Sequence, residues 1–218
     1  MDIMEKNKEN KNNLRSIMII ILYFIFPYVM KFLSGVKWLV VLFYMLFALL
    51  ILYLYRNTFK RDFKDIKENK KKYLSSILIN VVLIFVIMLV TNALIGMIFD
   101  IKQTSENDYS LLSMFKKSPI VLMFLTSLYY PVIEGVIFRK SVRDIIDNKW
   151  MFIMFSSVFY FFFNVAYTSL SFTSIITSLC YLFSMMLLSS YYYKTNNFTA
   201  SVLVMMIYNI IISILSFI

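Results

Sequence analysis

Seven long runs of apolar residues dominate the chain, and short polar segments separate them. Each run has roughly the 17–25 residues that a transmembrane α-helix needs, and none alternates like a membrane-spanning β-strand. Because only helices and closed barrels satisfy the backbone in lipid, the pattern predicts an all-α, polytopic transmembrane bundle of about seven spans. The predicted spans are Ile17–Leu33, Trp38–Tyr55, Leu74–Phe99, Ile120–Phe138, Trp150–Tyr167, Ser169–Tyr193 and Phe198–Ile218.

The composition also indicates a membrane protein. Hydrophobic residues make up 61% of the 218 positions, and the mean hydropathy is +0.75, whereas soluble domains are about 45–50% apolar. Lys, Asn, Ile, Phe and Tyr are abundant, while Ala and Gly are scarce. We interpret this bias as the drift of an AT-rich bacterial genome, so we expect a multi-pass protein of a bacterial cell membrane. The fifth and sixth predicted spans meet near Thr168 with almost no loop.

Lysine and arginine predict the orientation of the spans. With the N-terminus in the cytosol, 17 of the 22 basic residues fall on cytosolic segments. The positive-inside rule therefore predicts a cytosolic N-terminus and an external C-terminus. The five basic residues left outside are Lys31, Lys37, Lys102, Lys116 and Lys117.

The cytosolic segment 56–73 carries eight of these bases, mixed with three acidic residues. It is typical either of an amphipathic surface helix on anionic lipid or of an ordinary positive-inside anchor. We favour the anchor, because nearly every membrane protein needs one. No basic soluble module carries the net charge of +10, so nucleic-acid binding is not expected.

Glu134 is the only acidic residue inside a predicted span, and the chain contains no histidine. An ionisable group at membrane depth marks a functional site by default, although a glutamate can also lock helices together. Pro131 lacks an N–H group, which should leave the carbonyl of Ser127 without its helical donor. Gly135 allows close approach of another helix, and Arg139 could reach back to Glu134 from the cytosolic end.

Polar residues at helical spacing also mark the last three spans. Tyr160 and Asn164 lie one turn apart, and Ser201, Met205 and Asn209 follow at four-residue steps. These faces can turn inward to form a polar interior, or they can only join helices through hydrogen bonds worth roughly 0.6 kcal/mol each. For the stripe on the sixth span we favour hydrogen bonding alone. That stripe comprises Ser174, Thr177, Ser178, Tyr181 and Ser184.

Three short motifs follow one another within the region Pro119–Ile218. They read EGVIFR at Glu134–Arg139, YFFFN at Tyr160–Asn164 and MMIYN at Met205–Asn209, and YYKTNNF at Tyr192–Phe198 precedes the last. In this order they resemble the motifs Glu-Glu-x-x-x-Arg, Phe-x-x-x-His and His-x-x-x-Asn of the CPBP family. That family, also called Abi, comprises CAAX-processing and bacteriocin-processing membrane endopeptidases.

The resemblance implies a CPBP-like core of four helices over residues 118–218, preceded by a three-span region over residues 1–117. In active members of the family, it implies that the first glutamate and the second-motif histidine activate water. The third-motif histidine and asparagine would bind the substrate carbonyl. By this resemblance, Glu134, Arg139 and Asn209 are retained members of the site.

Three positions depart from the family pattern. The second glutamate is replaced by Gly135, and the two histidines by Asn164 and Met205. Asparagine cannot act as a base near neutral pH, and methionine donates no hydrogen bond. Loss of one oxyanion donor costs about 100- to 1,000-fold in rate and loss of acid–base help about 100- to 10,000-fold, so little peptidase activity is expected.

No metal or cofactor is expected. Zinc prefers several Cys, His or carboxylate ligands, and Glu134 alone does not supply them. The single cysteine, Cys180, excludes an internal disulfide. We expect it to serve only in packing.

Three functions stay open. The preferred one is a degenerate family member that binds another membrane protein or a peptide within the lipid bilayer, as a scaffold, a regulator or a bacteriocin-immunity factor. The alternative is an active endopeptidase with Glu134 as base and Asn164 and Asn209 as carbonyl donors. A small transporter component with a proton or cation site is less favoured, because the chain shows no inverted repeat.

Overall fold

The computed structural model of the chain describes residues 3–33, 35, 37–99, 119–166 and 171–215. These ranges are almost entirely helical and contain no strand, which confirms the predicted all-α fold. Six of their helices are long and apolar enough to cross a membrane, and a bent helix pair raises the number to seven. The predicted join near Thr168 lies outside the described residues, as do Lys102, Lys116 and Lys117.

The described residues up to Phe99 form four helices, and the second and third are sharply bent relative to each other. The bend between them measures 66° and falls at Tyr55. The predicted basic loop 56–73 is therefore helical, and its first part leaves the direction of the preceding span. The four helices are α1 (Ile3–Leu33), α2 (Lys37–Leu54), α3 (Arg56–Glu68) and α4 (Lys70–Phe99).

The helix that carries Glu134, here called α5, alternates between α-helical and π-helical turns. In a π-helix, each bond joins residues five apart instead of four, and such turns are frequent at functional sites. The structure extends this span from the predicted end at Phe138 to Ile145. Its segments are Pro119–Phe124 (α), Leu125–Tyr129 (π), Tyr130–Glu134 (α), Gly135–Ser141 (π) and Val142–Ile145 (α).

Four further helices follow in the described part of the chain: α6 (Lys149–Ala166), α7 (Phe172–Thr177), α8 (Leu179–Thr195) and α9 (Phe198–Leu215). Helices α7 and α8 are separated only by Ser178, whose N–H donates to the carbonyl of Ser174, and together Phe172–Thr195 form one candidate span, as predicted. Asn196 ends α8 with a φ of 49°, a left-handed conformation that asparagine tolerates. Asn197 then caps α9 by accepting a 2.9 Å hydrogen bond from the N–H of Ala200.

The core lies where α5 meets its neighbours. Helix α8 packs against α6 and α4, while α9 packs against α4 and α5. Phe138 of α5 is fully buried, and its ring lies 5.1 Å from that of Tyr160 on α6. Large apolar side chains on the outer faces of α1, α2 and α4 are exposed, as expected for surfaces that face lipid. The fold thus surrounds Glu134 with α6 and α9.

Candidate functional site

Glu134 is held by a tyrosine rather than by an arginine. Its Oε2 atom accepts a 3.1 Å hydrogen bond from the hydroxyl of Tyr160, which is only 6% exposed. The π-helical turns on both sides of Tyr130–Glu134 set the direction in which this carboxylate points. Within the described residues Arg139 forms no ion pair with Glu134, so the reach-back considered from the sequence does not occur.

The guanidinium of Arg139 instead lies against α9. Its Nη1 atom donates a 3.1 Å hydrogen bond to the carbonyl of Ser201, and the side chain is 1% exposed. A Cβ atom added to Gly135 would lie 2.7 Å from Nη2 of Arg139 and 3.0 Å from Cγ2 of Val202. The arginine therefore occupies the space where a side chain at position 135 would begin.

Asn164 lies one turn beyond the contact with Glu134. Its Nδ2 atom donates a 2.9 Å hydrogen bond to the carbonyl of Tyr160 in the same helix. The hydroxyl of Tyr160 contacts the glutamate directly. The side chain of Asn164 also hydrogen-bonds with the side chain of Tyr160, so it lies next to the group that contacts Glu134.

Asn209 bonds to the backbone of α5. Its Nδ2 atom donates a 2.7 Å hydrogen bond to the carbonyl of Thr126. The N–H of Tyr130 donates to Leu125 in the π-helical register, so Thr126 has lost its α-helical donor. The π-helical donor would be residue 131, which is a proline without an N–H group. Asn209 therefore satisfies the carbonyl that Pro131 leaves free.

This finding corrects the expectation for Pro131. In a regular α-helix the carbonyl left without a donor would be that of Ser127. The π-helical register moves the shortfall one residue earlier, to Thr126, where α9 supplies the missing donor. Met205, one turn before Asn209 on α9, is partly buried and packs against the apolar core.

Sequence reasoning assigned no role in the site to three groups that complete it. Two are main-chain carbonyls, those of Thr126 and Ser201, and no side-chain pattern could have marked them. The third is the hydroxyl of Tyr160, and a signal for it was present. A tyrosine one turn from Asn164 in an apolar span pointed to an inward polar face.

A second polar cluster lies at the basic end of the bundle. Asp62 of α3 is 1% exposed, and its Oδ2 atom accepts hydrogen bonds from the N–H (3.0 Å) and the hydroxyl (3.3 Å) of Thr199. Asn197 donates to the carbonyl of Asp62 at 3.1 Å and to the carboxylate of Asp65 at 3.0 Å. Tyr73 of α4 also donates to Asp65. We call these five residues the α3–α9 clamp.

The carboxylate of Asp65 is stabilised in its charged form. Hydrogen bonds from Tyr73 and Asn197 hold the pKa of Asp65 below its ordinary value of 3.8. The sequence showed Asp62 and Asp65 only as acidic residues within a basic run. Their spacing of three places both on one face of a helix, which was the available signal for an inward acidic face.

The described residues contain no group of three or more His, Cys, Asp or Glu side chains that could hold a metal ion. Glu134 is accordingly a single carboxylate held by a hydroxyl group. The chemistry open to this arrangement is hydrogen bonding and, with a free oxygen lone pair, proton acceptance.

Comparison with known proteins identifies one family. No curated protein and no solved structure matches the chain. The family model described as "Type II CAAX prenyl endopeptidase Rce1-like" matches residues 116–211. This range includes all three motif segments, Glu134–Arg139, Tyr160–Asn164 and Met205–Asn209, and it confirms the resemblance found from the sequence. Residues 116–211 of this multi-pass integral membrane protein are therefore similar to the type II CAAX prenyl endopeptidases of the CPBP family.

Proposed function

We propose that this chain is a catalytically impaired CPBP protein of a bacterial cell membrane that acts by binding. It would hold or regulate another membrane protein or a peptide, as a scaffold, a regulator or a bacteriocin-immunity factor. The observation that carries the proposal is the position of Arg139. Its guanidinium fills the space next to Gly135 where the side chain of the family's second glutamate would start. The same guanidinium donates a hydrogen bond to the carbonyl of Ser201 on α9.

The two asparagines support the same proposal. An amide hydrogen of Asn164 is used by the carbonyl of Tyr160, and one of Asn209 by the carbonyl of Thr126. Asn209 thus bonds to the helix backbone, and Asn164 bonds to the backbone and also to the side chain of Tyr160. An oxyanion site needs donors that already point at the place where the substrate oxygen will sit.

Water activation also lacks a second group. In the family, a histidine assists the first glutamate, and here Tyr160 contacts Glu134 instead. A tyrosine hydroxyl that donates to the carboxylate stabilises its charge and occupies one of its lone pairs. General acid–base help is worth about 100- to 10,000-fold in rate, which this site would forgo.

Peptidase assays test the impairment directly. The wild-type protein in liposomes should release no product from prenylated or leader peptides under conditions in which a histidine-containing family member cleaves them. Restoring both histidines in N164H/M205H should raise cleavage if the scaffold still accepts a peptide. Cleavage by the wild type that disappears in Glu134→Gln would overturn the proposal and support the alternative, an active endopeptidase with Glu134 as base.

Affinity purification after cross-linking in native membranes tests the binding role. A stable stoichiometric membrane partner is expected, and Glu134→Gln should retain it. Alanine replacement of exposed apolar residues, one outer helix face at a time, should abolish the partner from one face only, with the other faces as internal controls. Loss of the partner in Glu134→Gln at unchanged protein level contradicts the binding proposal.

A further inference from the structure

A groove lies between α2, α3, α5 and α9, and its described lining does not include Glu134, Tyr160, Asn164 or Asn209. Its volume is about 420 Å³, which lies within the usual range for small-molecule sites, roughly 300–1,000 Å³.

The floor of the groove is apolar. Leu52 contributes from α2, Val132 from α5, and Leu203 and Met206 from α9. Together these residues make an apolar path within the groove, which suits a hydrocarbon chain.

The rim of the groove is cationic. Arg56 and Lys60 lie one turn apart on α3, so both face the same side, and both line the groove. Among the described residues, neither forms an ion pair. The next two basic residues on α3 do form ion pairs, Arg61 with Asp62 and Lys64 with Glu68. Within the described part of the chain both groove bases thus have no carboxylate partner, as is also true of Lys67 outside the groove, and the guanidinium of Arg56 lies 4.5 Å from the ring centre of Tyr53.

The bend at Tyr55 places these charges at one end of the apolar path. Helix α2 is an apolar span, whereas α3 turns away from it by 66° and is strongly amphipathic. The groove therefore joins an apolar floor to a cationic rim within one site. A ligand that satisfies both parts has a hydrocarbon tail and an anionic head.

We propose that this groove is a binding site for an anionic phospholipid. An acyl chain lies along Val132, Leu203 and Met206, and the phosphate lies between Arg56 and Lys60. The site is independent of any peptidase activity, and it tethers the α3–α9 clamp to the anionic leaflet.

Native mass spectrometry of the full chain in detergent tests the site with two probes, phosphatidylglycerol and phosphatidylcholine. The wild type should bind one phosphatidylglycerol more tightly than phosphatidylcholine. The double variant R56Q/K60Q should lose about 30-fold in affinity for phosphatidylglycerol, because each base near a headgroup contributes appreciably. The matched control K67Q/K71Q removes two exposed bases outside the groove and should lose less than about 3-fold.

Leu203→Trp tests the apolar floor, since it fills the groove without changing the charge. It should weaken phosphatidylglycerol binding about tenfold or more, and Met206→Phe serves as a second variant if Leu203→Trp fails to fold. Equal losses in the two double variants would overturn the proposal, because they indicate general charge attraction. Equal binding of the two lipids, or unchanged binding in both groove-filling variants, would overturn it as well.

Discussion

The two polar centres of this protein differ in how their carboxylates are held. Asp62 in the α3–α9 clamp accepts hydrogen bonds from Arg61 and from both the N–H and the hydroxyl of Thr199. Glu134 in the interior accepts one hydrogen bond, from Tyr160. Both are carboxylates of one helix in contact with another, yet Asp62 accepts four hydrogen bonds and Glu134 accepts one from the described residues.

The difference follows from what each carboxylate faces. Asp62 faces the first turn of α9, where free N–H groups and the helix dipole favour a negative charge. Glu134 faces the middle of α6, where the backbone is already paired and only a side chain can donate. The number of hydrogen bonds that each carboxylate accepts thus depends on which part of the neighbouring helix it faces.

The largest effect is expected at the clamp. Asp62→Ala should lower the free energy of unfolding by about 3 kcal/mol, because it leaves the buried N–H of Thr199 unpaired and removes a contact between α3 and α9. Reversible unfolding in mixed micelles measures the change. Glu68→Ala is the control, since Glu68 is 62% exposed in its pair with Lys64, and it should change stability by less than about 1 kcal/mol. Equal losses in both variants would contradict the role of the clamp.

The second largest loss of stability is expected on substitution of Gly135, which lies close to the side chains of Arg139 and Val202. Gly135→Ala places a methyl group 2.7 Å from the guanidinium of Arg139 and 3.0 Å from Val202, so we expect a loss of about 2 kcal/mol from overpacking. Gly35→Ala is the matched control, because nothing lies within 4 Å of its added Cβ. A Gly135→Ala protein as stable as that control means that the guanidinium moves freely out of the space.

A double-mutant cycle tests the carbonyl that Pro131 leaves without a donor. Asn209→Ala should cost about 1–2 kcal/mol, because the carbonyl of Thr126 loses its 2.7 Å hydrogen bond. In a Pro131→Ala background the restored N–H can pair with the helix, so the same substitution should cost markedly less. Additive losses would show that Asn209 and Pro131 act independently.

The smallest effect is expected in the pH dependence of stability. Because hydrogen bonds hold the pKa of Asp65 below its unfolded value of 3.8, its stabilising contribution is present above that pH and disappears as the pH falls through the folded pKa. Asp65→Asn should therefore flatten the stability curve below about pH 4. Unfolding curves between pH 3 and 6, roughly, measure this, with Asp147→Asn as a control at an exposed carboxylate. An unchanged acid slope in Asp65→Asn would show that the clamp does not depend on this charge.

Much of the fold was predictable because a long apolar run by itself indicates a segment that lies in lipid. Residues of each run transfer into lipid largely independently of the rest of the chain, so length and hydropathy predicted the spans. The π-helical turns of α5 and its continuation to Ile145 were not predicted. Both depend on hydrogen bonds and packing that a hydropathy pattern does not record.

The site was predictable only in part. The motif positions identified Glu134, Asn164 and Asn209 as candidates, and their chemical types indicated the missing histidines. The hydrogen-bond partners of these residues could not be predicted from the sequence. A spacing of four residues does not say whether Tyr160 or Asn164 contacts a carboxylate on another helix. The sequence also did not show whether Asp62, an acidic residue within a basic segment, faces solvent or the protein interior.

The sequence by itself determined the helical membrane fold, the family resemblance and the absence of the motif histidines, since each of these depends on local composition or on residue identity. Only the tertiary structure decided that Arg139 bonds to Ser201 beside Gly135, that Asn209 satisfies Thr126, and that α3 is anchored to α9. Backbone carbonyls and N–H groups are present at every position, so which of them is left unpaired depends on helix register and on the neighbouring helix.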